Sequence, residues 1–337
     1  MKDFLDLADL SPASVRELVA LATRLEHKPE PDALAGKVLG LVFMNPSLRT
    51  LASFQAGMAR LGGNSFVISP GSSWQLEFRT GVPMIGDAAE HIREAIPVLA
   101  TYADALGVRA FAGGKDLEED LGEPVLSAIR GLVPAPLINM ESAVNHPCQA
   151  LADWKTMDDE EIPSHGGRFV LSWADHPKPL PLAVPSAAAH MAAMRGMDVT
   201  VLRPDGFPLP DPIMAKVRAA AEQSGGSVSE TTDREEAMDG AHVVYAKSWG
   251  STAAYGNARE DARLRASLSG WTVDDDWFGP ADPGCVFMHC LPVRREVVVT
   301  SGVLEGPRSR VVPQARNRMY GQMAVLYRLL ANQGERQ

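Results

Sequence analysis

The stretch KVLGLVFMNPSLRT, residues 37–50, decides the fold class. Residues 37–44 are a short apolar run, the pattern of a strand buried on both faces. Asn45-Pro46 then breaks the run, and Ser47 is a residue type that caps helices by accepting a backbone N–H. A helical stretch follows from about Leu48 to Leu61. A buried strand that turns directly into a capped helix is the repeating piece of an α/β fold with mostly parallel sheets.

The alternation extends in both directions. Ser11-Pro12 starts an earlier helix, with Ser as cap and Pro in the first turn. SFVIS (65–69), ALGVRAF (105–111) and PLINM (136–140) are further strands, with helical segments near 88–103 and 116–131. A second series begins after Asp153. DDEEIPSHGGR (158–168) is acidic, then Gly-rich, and reads as a surface connection. RFVLSW (168–173), a helix near 182–195, DVTVLRP (198–204), a helix near 210–224, HVVYAKSW (242–249) and CVFMHC (285–290) follow. The last helix runs from about Gln314 to Asn332. No internal repeat is visible. The chain has 337 residues, more than one core usually holds, so two similar α/β halves are expected.

Apolar residues make up 45% and charged residues 22%, which is ordinary globular composition. No apolar run approaches the roughly 20 residues of a membrane helix, so no membrane partner is expected. The start, MKDFLDLADL, has acidic residues where a secretory signal needs a basic start and an apolar run, so the expected location is cytoplasmic. Cys148, Cys285 and Cys290 form no CxxC pair, which argues against a disulfide framework or a structural zinc site. A net charge of −10 argues against a nucleic-acid partner. Anionic substrates would have to be held by a local cluster of cations and N–H groups.

Several constellations offer such a cluster. Ser47-Leu48-Arg49-Thr50 sits at a strand-to-helix junction, where free N–H groups and the helix dipole favour a phosphate. Arg49 adds a planar charge that grips phosphate with two parallel bonds. The same residues also fit a capped helix with a solvated Arg. His146-Pro147-Cys148-Gln149 places an imidazole at another such junction, either as a structural residue or as a donor to a developing oxyanion. Met288-His289-Cys290-Leu291-Pro292-Val293-Arg294-Arg295 follows a short strand, and strand ends are where α/β sheets collect ligands. Cys290 near Arg is a lowered-pKa nucleophile or a small buried thiol. Arg109 lies in an apolar strand and needs an ion-pair partner or a ligand. Arg318, read as opening the last helix, is badly placed for the dipole unless an anion is near or it is simply exposed.

In this order and spacing the segments resemble the aspartate and ornithine carbamoyltransferase family over nearly the whole chain. NPSLRT is similar to its Ser-x-Arg-Thr loop, NHPCQ to its His-Pro-x-Gln motif, and MHCLPVRR to the His-Cys-Leu-Pro segment of the ornithine branch. The resemblance implies a carbamoyl-phosphate-binding domain over residues 1–147, with the C-terminal helix 314–337 returning to it, and an acylornithine-binding domain over 148–313. Ser47, Leu48, Arg49 and Thr50 would hold the phosphate. Arg109, His146 and Gln149 would hold the carbamoyl end, and Cys290, Leu291 and Arg318 would complete the pocket. Thr50, Arg109 and His146 would be the catalytic donors to the oxyanion. No metal or cofactor is implied, and the leaving phosphate could take the proton from the amine.

A finer resemblance is to the branch that carbamoylates N-acylated ornithine, carried by SWQLEF (73–78), GDAAEHI (86–92), WADHPKP (173–179) and YAKSW (245–249). It implies a homotrimer with shared active sites, in which Trp74 reaches the neighbouring subunit's site. It also implies that Glu141, His176, Lys247, Leu291 and Arg294 contact the acylornithine. Acetyl-specific members resemble one another in carrying Glu at the position of Ala89 and Lys at that of Val298, whereas succinyl-specific members are uncharged at both. The implied reaction carbamoylates N-succinyl-L-ornithine to N-succinyl-L-citrulline in arginine biosynthesis. N-acetyl-L-ornithine, or plain L-ornithine, stands as the alternative acceptor.

Two departures stand out. Leu51 replaces a usual Arg, and Gln314-Ala315-Arg316-Asn317-Arg318 replaces the usual Glu-Ala-Glu-Asn-Arg. Other classes also remain to be weighed. A dinucleotide-dependent dehydrogenase should show a GxGxxG turn, yet RFVLSW leads into ADHPKP. A non-catalytic binding protein of this fold should have lost some of Arg49, Thr50, Arg109, His146 and Gln149, and all are present.

Overall fold

Short apolar runs and capped helices alternate along the chain, and each run becomes a strand. The structure, a computed structural model, describes residues 1–70, 74–268 and 270–331. Ser73, and Asn332 at the expected end of the last helix, lie outside the described residues. In chain order come α1 (Pro12–His27), β1 (Val38–Phe43), α2 (Leu48–Arg60), β2 (Asn64–Ile68), β3 (Gln75–Glu77) and β4 (Ala88–His91). Then follow α3 (Ile92–Thr101), β5 (Ala105–Arg109), α4 (Leu117–Leu121), α5 (Pro124–Arg130), β6 (Leu137–Glu141) and α6 (Pro147–Asp159). The second series is β7 (Arg168–Trp173), α7 (Ala183–Arg195), β8 (Asp198–Leu202), α8 (Asp211–Ser224), β9 (Ser227–Thr231) and α9 (Arg234–Met238). It ends with β10 (Val243–Lys247), α10 (Ala258–Arg265), β11 (Val286–Met288), α11 (Ser301–Glu305) and α12 (Val311–Leu330).

The chain divides into two compact units. The first holds Met1–Ala112, Glu119–Cys148 and the chain from Arg318 onward; the second holds Gly113–Glu118 and Gln149–Asn317. In the first, a parallel sheet runs β2-β1-β5-β6, and β3 pairs with β4 separately. Its core packs Val42, Leu106, Val108 and Leu137 of the strands against Ile92, Ile96 and Ile129 of the helices. Gly107 points to the opposite face and leaves room there for Met140, whose Sδ a Cβ would meet at 2.9 Å. In the second unit five parallel strands run β11-β10-β7-β8-β9. One core cluster gathers Val170, Val244, Phe287, Trp277 and Val299. Among the described residues no helix is long and apolar enough to cross a membrane, and no group of His, Cys, Asp and Glu could hold a metal ion. The three cysteines are buried and not disulfide-bonded.

Four local expectations are corrected. Residues 88–91 form β4, not the first turn of a helix; α3 begins only after His91, whose ring accepts from the Arg93 amide at 3.1 Å. The helix expected over 116–131 is two helices, broken where Glu123 takes a left-handed φ of 52°. The strand β9 was not expected, because SVSET is a polar edge strand with no apolar run to signal it. The last helix begins at Val311, not Gln314, so Arg318 lies two turns inside it. The unfavourable-dipole argument for Arg318 therefore does not apply.

Candidate active site

The C-terminal edge of the first sheet gathers most of the expected residues of that unit. Strand register sets Phe43 beside Arg109, and Arg109 beside Glu141. The loop after β1 is tied to this edge by the Met44 amide on Arg109 O at 2.9 Å and the Phe111 amide on Asn45 Oδ1 at 2.8 Å. Ser47 caps α2, accepting from the Thr50 amide at 3.3 Å and donating its hydroxyl to Thr50 Oγ1 at 2.9 Å. Leu48 is exposed, Arg49 half-buried and Thr50 fully buried.

Arg318 reaches this corner from α12. Its Nη2 donates to Thr50 Oγ1 at 2.7 Å. Gly57 on α2 permits the approach, because a Cβ there would meet Met323 Cγ at 3.2 Å and the Met319 carbonyl at 3.7 Å. Arg318 is buried, and burial pushes its guanidinium below the usual value. Glu141 and Cys148 oppose that shift, whereas Arg49 and Arg109 add to it. Arg318 thus feels two other guanidiniums and one carboxylate beside the N-terminus of α2, in a chain of net charge −10. Such a locus favours a bound anion.

Glu141 is the carboxylate of this group. It forms an ion pair with Arg109 Nη1 and lies 3.4 Å from His146 Nε2. Arg109 stacks over Phe111, 4.4 Å from the ring centroid, and its buried Nε has no hydrogen-bond partner among the described residues. Cys148, next to His146 and Pro147, is buried; burial pushes its thiol up to about 12, only partly offset by Arg318. It is therefore a packing residue and not a nucleophile.

The second unit places the other expected residues at the ends of β7, β10 and β11. Lys247 closes β10 and is buried. After β7, His176 accepts at Nε2 from Arg294 Nε at 3.1 Å, while Nδ1 lies 2.9 Å from Lys178 O. Arg294 can only donate, so Nε2 carries a lone pair and the ring is neutral; the Lys178 amide lies 3.1 Å from the same Nδ1. Burial first, then Arg294, Lys247 and Arg265, push its pKa down; only the Lys178 carbonyl opposes them. Cys290 is buried, and Leu291 holds a left-handed φ of 53°, an unusual state for a residue with a side chain. Arg295 pairs instead with Glu305 at 2.5 Å. Gln149, in the first turn of α6, is buried and donates to Asp153 at 2.7 Å.

The sign of the His176 shift gives a test. Its folded pKa lies below the ordinary value of about 6.5, so the unfolded chain takes up the proton first as pH falls. The stabilising Arg294 contact is fully present above about pH 6.5 and is lost as pH drops toward the folded value. Melting curves of the unaltered chain and of His176→Gln should run parallel above that pH. Below it the unaltered chain should lose stability faster; parallel curves throughout would refute the neutral-ring assignment.

Trp74 is 55% exposed and donates Nε1 to Glu90 Oε2 at 3.3 Å, across the small β3–β4 pair. Ala89 is exposed on β4, so helix propensity does not explain it. Val298 is buried in the core cluster of the second unit. Sequence reasoning missed the supports behind Lys247. Arg265 pairs with Asp261, donates to Ser248 Oγ at 2.9 Å and Trp249 O at 2.6 Å, and stacks near Trp173 and Phe207. Only an Arg and Asp four apart in AREDARLR (258–265) hinted at it, and that reads as a surface pair.

Comparison with known proteins gives a consistent picture. Residues 2–159 match the carbamoyl-P binding domain of aspartate/ornithine carbamoyltransferases, and residues 184–329 match the Asp/Orn binding domain. The N-acetylornithine carbamoyltransferase of Xanthomonas campestris pv. campestris is 38% identical, with 98% of each chain covered. The N-succinylornithine carbamoyltransferase of Bacteroides thetaiotaomicron is 36% identical, with 96% of each covered. A solved acetylornithine transcarbamylase complexed with acetylcitrulline superposes with a TM-score of 0.94 at 38% identity, covering 98% of this chain and 99% of that one. An N-acetyl-L-ornithine transcarbamylase with one Glu replaced by Ala, complexed with carbamyl phosphate and N-succinyl-L-norvaline, also gives 0.94 at 38% identity, covering 98% of this chain and 100% of that one.

Proposed function

Since the chain belongs to the aspartate/ornithine carbamoyltransferase family and is a carbamoyltransferase, we propose that its acceptor is N-succinyl-L-ornithine and its products are N-succinyl-L-citrulline and phosphate. The observation that carries the donor half is the Arg318 bond to Thr50 Oγ1 at the start of α2, with the charges of Arg49 and Arg109 felt at that same Arg318. In this reading the backbone of Ser47 to Thr50, with Arg49 and Arg318, holds the phosphate. Arg109, His146 and Gln149 hold the carbamoyl end, with Cys290 and Leu291 completing the pocket. The neutral side-chain amine attacks the carbonyl carbon, the bond from that carbon to the phosphate oxygen breaks, and phosphate leaves with the amine's proton. Thr50, Arg109 and His146 stabilise the oxyanion. Arg109 has a donor to spare, because its Nε is unengaged while Nη1 holds Glu141. Much of the acceleration comes from holding two substrates together.

Glu141, His176, Lys247, Leu291 and Arg294 face the acylornithine in this reading. The succinyl choice rests on Ala89. A succinyl group is longer than an acetyl and ends in a carboxylate, which a Glu at this position would repel and crowd. The relative complexed with N-succinyl-L-norvaline has lost one glutamate to alanine, and we read that glutamate as the counterpart of Ala89. Val298 acts only by lacking charge, because a lysine in that apolar core would carry a heavy burial cost. Lys178 and Arg294 are candidates to hold the succinyl carboxylate. N-acetyl-L-ornithine is the second reading, favoured by 38% identity to an acetyl enzyme against 36% to a succinyl one. So small a difference across whole chains bears little on one pocket residue.

Competing the two acyl-ornithines at equal concentration decides the acceptor. The expected result is a higher kcat/KM for the succinyl compound. Ala89→Glu should reverse the preference, with a change of about tenfold or more in the ratio. A higher kcat/KM for the acetyl compound in the unaltered enzyme would overturn the choice and leave carbamoyl transfer standing. For assembly we propose a homotrimer in the cytoplasm, in which Trp74 completes the site of a neighbouring subunit. An exposed Trp, in a chain segment that also exposes Met84 and Ile85, is better explained by a partner surface than by its own core.

A further inference from the structure

Behind Gln149 lies a buried hydrogen-bonded group. Asp153, one turn further along α6, accepts at Oδ1 from Gln149 Nε2 at 2.7 Å and from Gln314 Nε2 at 2.7 Å. Gln314 Nε2 also lies 3.3 Å from the Tyr245 hydroxyl, and Gln314 Oε1 accepts from the His289 amide at 3.0 Å. His289 Nδ1 in turn accepts from the Leu291 amide at 2.9 Å. Gln149, Asp153, Tyr245, His289 and Gln314 are all buried. The Tyr245 phenol stays protonated, because burial first and the Asp153 carboxylate second push its pKa well up.

The partners dictate which way each amide turns. A carboxylate only accepts, and a backbone N–H only donates. Gln314 must therefore give Nε2 to Asp153 and Oε1 to His289. Gln149 must likewise give Nε2 to Asp153. What remains is Gln149 Oε1, a buried acceptor with no partner among the described residues. A lone buried acceptor of this kind is unfavourable until a donor reaches it. A glutamate at residue 314 would set a second carboxylate against Asp153 and lose the Nε2 contacts, so the glutamine is what lets this arrangement close.

We propose that Asp153 and Gln314 are positioning residues that lock Gln149 with its carbonyl oxygen toward the transferred group, so that the site selects an acyl phosphate bearing N–H donors over one bearing a methyl. This rests on the reading that Gln149 belongs to the carbamoyl-phosphate site. A carbamoyl and an acetyl group have nearly the same shape, so pocket size separates them poorly. A buried acceptor separates them well, because the methyl leaves it bare. An unlocked Gln149 can exchange its oxygen and nitrogen by rotating its last torsion, and the discrimination falls.

The test uses two stable phosphonates of matched shape, phosphonoacetamide and 2-oxopropylphosphonate, with Kd measured by calorimetry on the full chain. The unaltered protein should prefer the amide by about tenfold or more. Asp153→Leu should erase most of that ratio, chiefly by weakening the amide ligand. Asp153→Asn keeps a carbonyl oxygen for both glutamines and should retain the ratio. Gln314→Met, which removes one support, should lower it partway and carries the test if Asp153→Leu does not fold. An equal loss for both ligands in the folded variants would make the group merely structural and overturn the proposal while the carbamoyl-phosphate reading stands. If the unaltered protein bound neither phosphonate, both would fall.

Discussion

Replacing Arg49 with alanine should weaken carbamoyl-phosphate binding by about a hundredfold or more while leaving the fold intact. A guanidinium that grips a phosphate with two charge-assisted bonds contributes about 3 kcal/mol, which is about a hundredfold in Kd. The fold should survive for reasons visible at the site. Ser47 caps α2 with its own hydroxyl, and the buried face of that helix is made by Thr50, Phe54 and Met58. Arg49 also pushes the buried Arg318 guanidinium toward its neutral form, so removing it relieves that group. The melting temperature should therefore hold or rise slightly as affinity collapses. Calorimetry with phosphate or carbamoyl phosphate makes the measurement. Unchanged affinity would sink the assignment of residues 47–50 to the phosphate.

Strands with apolar runs were legible, because VLGLVF, ALGVR and RFVLSW bury both faces and need no partner to declare themselves. Helix starts were legible where a side chain caps them, as at Ser11 and Ser47. Elements whose identity comes from pairing were not. Residues 88–91 follow a helical-looking pattern, yet β3 draws them into a strand. The start of α12 at Val311 precedes Pro313, and Pro is tolerated in the first turn of a helix, so that residue gave no boundary.

The site divides along the same line. Arg49, Arg109, His146 and Arg318 could be singled out because charge at a strand end or inside an apolar run demands an explanation. Their supports could not. Gln314 meets Asp153 across 161 positions, and neither residue type is unusual where it stands. The departure from glutamate at residue 314 was visible in the sequence. Its meaning was not, because an amide differs from a carboxylate only through the groups that face it.

Trp74→Ala should cripple catalysis, and an inactive partner variant should rescue it. The residue is 55% exposed, its indole donates to Glu90, and Met84 and Ile85 of the same segment are exposed too. If its role were to pack its own unit, truncation would cost stability and leave the site working. If it completes a neighbouring subunit's site, truncation removes an aromatic anchor worth about 2 kcal/mol or more, which is at least about thirtyfold in kcat/KM, with little change in melting temperature. Mixing then separates the two. In a cyclic trimer carrying both Trp74→Ala and Arg49→Ala subunits, one junction brings an intact Arg49 together with an intact Trp74. Random reassortment makes about three quarters of the trimers mixed, each with about one native site in three, so about a quarter of the native activity should return. Neither variant alone should show it, and rapid mixing without subunit exchange should not either. Confirmed exchange with no recovery would place each site within one subunit.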